Sequence, residues 1–321
     1  MEQIVKKLQQ KSNFRPTFYS CKSLISNKFK IIFRLLFIMN DVFIYLYLTI
    51  LVPMSSKYFH LFLLFLFGFL NSVSAQSGFS HEIGVIAGPV AFQSDYGERN
   101  DLSTNAGNTG FGIGLVHYLN FSYKANCSCY TPETYFNDHI KLRSELSFSK
   151  TNLQHFGDLV APTKTSDEAK QLRGMRGSTA VTNIGMQLEY YPFSIRDFTA
   201  NIESWGPFIS LGTQFSFYDS KATSTLGNLG TPSTTYYKYL DPSEGRPYGF
   251  SNEAESVLSI VSSVGTRYKI SPLSDFMIDL RMQYYFSNWV DGLNPNPEIY
   301  KENKANDWLV WFNVGYIYYL D

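Results

Sequence analysis

An all-β fold, a closed antiparallel up-and-down transmembrane β-barrel of about eight strands, follows from three observations. Stretch after stretch alternates apolar and polar residues with a period of two, the mark of strands with one apolar face. Aromatic content is 17%, with 23 Tyr and 27 Phe, residues that favour strands and membrane interfaces. The stretch from Asn306 to Asp321 places Trp308, Val310, Phe312, Val314, Tyr316, Tyr318 and Leu320 at every second position, with aromatics towards both ends. A lipid-facing strand is built this way. Such a strand needs a partner on each edge, and pairing with the first strand closes a ring.

Charge bounds the partners. The 321 residues carry 27 Lys+Arg and 27 Asp+Glu, a formal net charge of zero. A nucleic-acid binder needs a basic face, so no nucleic acid is expected. No fixed-period repeat of solenoid type is present.

The N-terminal region reads as targeting sequence. Met54-Ser-Ser-Lys57, the apolar run Phe59 to Leu70 and the small-residue site Val73-Ser-Ala75 before Gln76 have the layout of a secretory signal peptide. Residues 54–75 are therefore expected to be removed near Ala75/Gln76. Residues 1–53, with their own apolar run Ile31 to Val52, read as a gene-start artefact or an extra leader. Residues 76–321 are expected to form the single barrel domain. Cys127 and Cys129 form a Cys-Ser-Cys pair in an exported chain, where oxidation is expected. A metal site would need two further ligands, and neither His117 nor His139 stands at ligand spacing. Neither metal nor cofactor is expected.

The strands follow in order. Strand one, Phe79 to Phe92, turns Ile83, Val85 and Ala87 to one face. Strand two, Thr109 to Ser122, alternates Phe111, Ile113, Leu115, His117, Leu119 and Phe121 with Gly110, Gly112 and Gly114. The three glycines expect a close neighbour on that side. Gly112-Ile-Gly114 is no dinucleotide fingerprint, because strand alternation continues where a helix is required. Strand three, Asp138 to Lys150, sets Ile140, Leu142, Leu146 and Phe148 against Lys141, Arg143 and Glu145. Strand four, Ser178 to Tyr191, sets Ile184, Met186 and Leu188 against Asn183, Gln187 and Glu189. Strand five, Trp205 to Tyr218, sets Ile209, Leu211, Phe215 and Phe217 against Ser210, Gln214 and Ser216. Strand six, Ala254 to Ile270, sets Leu258, Ile260, Val264 and Tyr268 against Ser259, Ser263, Arg267 and Lys269. Strand seven, Asp275 to Trp289, sets Phe276, Ile278, Leu280, Met282 and Tyr284 against Asp279, Arg281 and Gln283. Strand eight is the stretch described first. The links 93–108, 151–177, 219–253 and 290–305 read as long loops on one side, and Ser271-Pro-Leu-Ser274 as a tight turn on the other. Long outer loops with short periplasmic turns are the pattern of outer-membrane barrels.

In its leader, strand pattern and terminal strand, the chain resembles the small eight-stranded bacterial outer-membrane barrel proteins, of the OmpA membrane-domain, OmpX and PorT-like kind. The resemblance covers residues 79–321 and implies a Gram-negative outer membrane, with outer-membrane lipid and the barrel assembly machinery as partners. It also implies a surface ligand or a secretion-machine protein as a further partner. These barrels usually end on an aromatic residue, whereas this chain ends Tyr319-Leu320-Asp321.

The inward set Lys141, Arg143, Glu145, Glu189, Arg267, Lys269, Asp279 and Arg281 mixes both signs. An eight-stranded barrel is only wide enough for side chains to fill, so these charges are expected to pair in a plugged core; a proton path or hidden catalytic site is the sharper alternative. No Gly-x-Ser-x-Gly and no His-Glu-x-x-His occurs, so no catalytic residue is named and no enzyme is expected. The function expected is a structural or surface-interaction role. Open alternatives are a component of an outer-membrane secretion or assembly machine, a lipid-modifying enzyme with a His and Ser at the rim, and a soluble exported barrel binding an apolar ligand in its core.

Overall fold

A computed structural model describes residues 80–97, 102–105, 107–121, 134–303 and 305–320. The expected leader, the 1–53 segment, His60 and all three cysteines (Cys21, Cys127 and Cys129) lie outside the described residues.

Eight strands pair in chain order and close into one barrel. They are β1 (Ser80–Gln93), β2 (Thr109–Asn120), β3 (Ile140–Gln154), β4 (Met175–Tyr190), β5 (Trp205–Ser224), β6 (Ala254–Ser271), β7 (Ser274–Tyr285) and β8 (Trp308–Tyr319). Every pairing is antiparallel, and β1 pairs with β8 from Glu82↔Tyr319 to Gln93↔Trp308. The terminal strand thus meets the partner its two open edges required.

The wall is uneven. Strands β3 to β6 run 15, 16, 20 and 18 residues, whereas β2, β7 and β8 have 12 each. The taller half corrects three expected boundaries. β3 continues to Gln154, β4 begins at Met175 and β5 reaches Ser224, because residues 151–154, 175–177 and 219–224, placed in loops by their polarity, continue the ladder. β7 is shorter than expected and ends at Tyr285, after which the Ser287–Asp291 region turns through side-chain hydrogen bonds.

Four of the links carry helices that periodicity did not reveal. At the end bearing the 271–274 turn, here the hairpin end, lie α2 (Tyr135–His139) and α4 (Ile195–Ala200). At the opposite loop end, α1 (Leu102–Asn105) and α3 (Asp167–Gly174) sit within the long links. The hydroxyls of Thr134, Ser166 and Ser194 accept the first free amides of α2, α3 and α4, at Asn137, Ala169 and Asp197. Such caps stabilise helices too short to persist alone. α4 buries Ile195 and Phe198.

The two faces of the wall are opposite in chemistry. Outside, Ile83, Ile113, Leu146, Ile184, Met186, Leu211, Leu280, Met282 and Val314 are exposed. Aromatics flank them: Trp205, Phe276, Tyr316 and Tyr318 towards the hairpin end, and Phe111, Phe148, Phe217, Tyr284 and Phe286 towards the loop end. Inside, charged and amide side chains are buried. A soluble barrel has the reverse arrangement, so the apolar-core alternative is overturned. The surface is that of a membrane-spanning barrel, an apolar band between aromatic girdles. Among the described residues no helix is long and apolar enough to cross a membrane.

Candidate functional site

The barrel interior is a lattice of ten charges. Glu82 accepts from Lys141 at 2.6 Å and from Arg267 at 2.5 Å. Arg267 also reaches Glu189 at 3.4 Å and Asp275 at 3.6 Å, and Asp275 holds Lys269 at 3.2 Å. Arg143 bridges Glu145 at 2.9 Å, Glu189 at 3.3 Å and Asp279 at 3.0 Å. Arg281 grips both oxygens of Glu145, one of them at 2.8 Å. Five bases thus meet five acids in one continuous network. All eight residues expected to face inwards lie in it. Glu82 and Asp275 complete it, and both share the parity of inward neighbours on β1 and β7. A buried charge is costly unless paired and hydrogen-bonded; here each has at least one opposite partner.

Aromatic rings pack between the charges. The Arg267 guanidinium lies 4.0 Å from the Tyr118 ring centroid, Lys269 Nζ 3.6 Å from that of Tyr319, and the Arg281 guanidinium 5.0 Å from that of Trp311. Trp311 also explains the expected close approach at one of the β2 glycines: a Cβ at Gly112 would stand 2.6 Å from its ring. A neutral layer sits beside the lattice. Gln283 Nε2 donates to Asn183 Oδ1, Ser216 Oγ and Ser259 Oγ at 2.9–3.1 Å. Gln187 and Gln214 donate to Glu145. No side chain of the ten charges is more than 1% exposed. A water-filled channel would expose them, so this level of the barrel is packed.

The loop end is the second polar region, and loops build it. Asp95 N donates to Asp291 Oδ2 at 2.8 Å, and Asn288 Nδ2 donates to Asp95 Oδ2 at 3.0 Å. Asn288, Asn294 and Asn303 bond to one another at 2.8–3.1 Å. Glu244 accepts from Trp289 Nε1 and from Asn294, and Arg246 lies 4.0 Å from the Trp289 ring centroid. Tyr239 donates to Asp95 O at 3.2 Å. Gln171 Nε2 donates to Pro232 O at 2.6 Å, so all four links fold into a joint cap. Burial, reinforced by the nearby Asp95 carboxylate, raises the Asp291 carboxyl well above its usual range, whereas burial lowers His155 to about 4. Nothing in the sequence pattern marked this cluster, because its partners are loop residues far apart in the chain.

The histidines disperse. His81 and His117 face each other across β1 and β2, with Nδ1 and Nε2 3.0 Å apart. His139 stacks on Tyr135 at 4.0 Å within α2. His155 belongs to the cap, 5.0 Å from Tyr96 between ring centroids. Among the described residues no group of three or more His, Cys, Asp and Glu is arranged to hold a metal.

No family model matches the chain, and no curated relative does. Solved structures do. A major outer membrane protein from Thermus thermophilus matches at 13% identity and TM-score 0.38, covering 75% of this chain and 99% of its own. Neisserial surface protein A matches at 11% and 0.36, covering 74% and 96%. The attachment invasion locus protein of Yersinia pestis matches at 11% and 0.33, covering 75% and 99%. This chain is similar to small outer-membrane β-barrels. At such identities and scores the likeness is one of barrel architecture.

Proposed function

We propose that this chain is a non-enzymatic outer-membrane β-barrel of a Gram-negative bacterium, with its loop end outside the cell as the working surface. The observation that carries this reading is the contrast within one molecule. The lattice fills the lumen, with each of its ten side chains at most 1% exposed, while the loops at one end fold into a cap with its own buried polar contacts. A filled lumen supports an anchor rather than a pore, and ordered loops on a rigid scaffold are where binding concentrates. Outer-membrane lipid bathes the apolar band, the barrel assembly machinery inserts the chain, and a surface ligand or a secretion-machine protein engages the cap. The leader would be cleaved between Ala75 and Gln76.

Fractionation, N-terminal sequencing and planar-bilayer recording test this together. The mature protein should sediment with outer membranes, begin at Gln76 and carry no steady conductance. Recovery in the soluble periplasm, or steady conductance that shifts in Arg281→Ala, would overturn the proposal.

A further inference from the structure

The loop-end cap encloses a cavity of about 380 Å³, towards the small end of the ~300–1,000 Å³ typical of small-molecule sites. Five of its lining residues are Tyr or Phe, namely Tyr96, Phe156, Tyr236, Tyr239 and Tyr300, beside aliphatic and polar groups. The rings support one another. Tyr236 stands 4.6 Å from Tyr237 and 6.1 Å from Tyr239 between centroids, and Tyr237 stands 6.2 Å from Tyr300. Tyr300 is held further by its hydroxyl, which donates to Asp241 Oδ2 at 2.6 Å. These are fixed platforms, with little side-chain freedom left to lose on binding.

The polar groups of the wall narrow the ligand. Lys238 Nζ pairs with Glu302 at 2.5 Å and lies 5.4 Å from the Tyr300 centroid. Asp95 is the other charged group in the lining, and His155 is neutral at physiological pH because burial pushes it down to about 4. One base against two acids leaves the cavity with an excess of one negative charge, which disfavours sulfated or carboxylated ligands. An organic ammonium would compete with Lys238, which already occupies the cationic place over Tyr300. A wholly apolar ligand would desolvate the Lys238–Glu302 pair without replacing its water. A pyranose ring fits what remains. Its C–H face stacks on aromatic rings, and its hydroxyls both donate and accept, as a wall of mixed ammonium, carboxylate and phenol groups requires.

We propose that the loop-end cavity binds a neutral saccharide, free or at the end of a glycan chain, seated on Tyr236 and Tyr300. This rests on the reading of the loop end as the outer surface.

The test uses the mature barrel in a detergent without a sugar headgroup. Saturation-transfer NMR is run with lactose and with N-acetylglucosamine, beside a sulfated galactose and choline as contrasts. An array of neutral and sulfated glycans separates a free sugar from a chain end. Saturable binding of a neutral sugar is expected, weakened roughly tenfold in Tyr236→Ala and in Tyr300→Ala. Tyr300→Phe, which keeps the ring but loses its bond to Asp241, should weaken binding less than Tyr300→Ala, and circular dichroism should show every variant folded. Should an alanine variant fail to fold, Lys238→Gln on the half-buried rim reads the same site. Binding only of choline or the sulfated sugar, binding of none, or binding indifferent to these substitutions would overturn the inference. A barrel that binds no sugar and also carries no current would leave the closed-barrel reading standing.

Discussion

The two polar regions of this barrel are built by opposite means. The lattice is strand-borne: ten charges projecting from a rigid wall, matched five to five, with every partner at a register position fixed by backbone pairing. The cap is loop-borne. It relies on amides, phenols and carboxylates, and it tolerates the close pair Asp95 and Asp291, joined through the Asp95 backbone amide. The difference teaches where a membrane barrel can hold charge. Deep in the wall each ion must be balanced, since no water is at hand to solvate an unpaired one. At the open end the requirement relaxes, and the chain is free to build a surface that recognises something.

The contrast breaks most visibly at Arg281. Arg281→Ala leaves Glu145 with one guanidinium instead of two, and should cost ~3–5 kcal/mol, the range for a broken buried pair. Urea unfolding in lipid vesicles measures it. A cost below about 1 kcal/mol, the range of solvent-exposed pairs, would mean that water reaches the lattice.

Leu280→Arg on the outer face of the same strand should cost ~2–4 kcal/mol near the bilayer midplane. Cysteine-attached probes then locate the faces. A lipid-soluble quencher should reach position 280 and not 283, and a water-soluble quencher added to whole cells should reach a probe at Gly230. Quenching from lipid at position 283 would invert the faces.

Gln283→Leu is a neighbouring test of the neutral layer. The residue type alone suggests a cheap change, but Gln283 donates to Asn183, Ser216 and Ser259. Removing the amide leaves buried acceptors without that donor, at ~1–3 kcal/mol.

The smallest effect belongs to the cap and is local. Asp291 has a folded-state pKa above its ordinary value of 3.8. Its contribution to stability is therefore full below that ordinary value and is lost as pH rises through the folded one. His155 behaves in the opposite sense: lowered from 6.5 to about 4, it contributes above 6.5 and loses that contribution as pH falls towards 4. Hydrogen exchange over residues 286–307, corrected for intrinsic rates, should show both limbs. Asp291→Asn should abolish the loss on the alkaline side, and His155→Gln the loss between pH 6.5 and 4. A profile unchanged by either substitution would place the pH sensitivity elsewhere.

How far the sequence could be read follows from the same division. Strand faces obey a two-residue period, so Lys141 and Arg143, or Leu280 and Arg281, sort themselves by parity alone. Glu82 and Asp275 were open to the same rule at the very ends of their strands. The helices left a fainter trace: Ser166 followed by Asp167 and Glu168 is an N-terminal capping signal, but eight residues of α3 are too few to show a period. The cap left none. Asp95 and Asp291 are 196 residues apart, and no local pattern encodes a meeting at that distance.

The pairing of β1 with β8 carries a consequence for how this molecule is made. Glu82 lies opposite Tyr319, so the first strand waits, with one edge bare, until β8 has been synthesised. Contacts of such separation form slowly, because a long loop must close before they contribute anything. In hydrocarbon a bare edge is not tolerated in the meantime. Insertion and closure must therefore be nearly one event. The order of assembly is set by the last strand to arrive, and a chain shortened by that strand has no partly built barrel to fall back on.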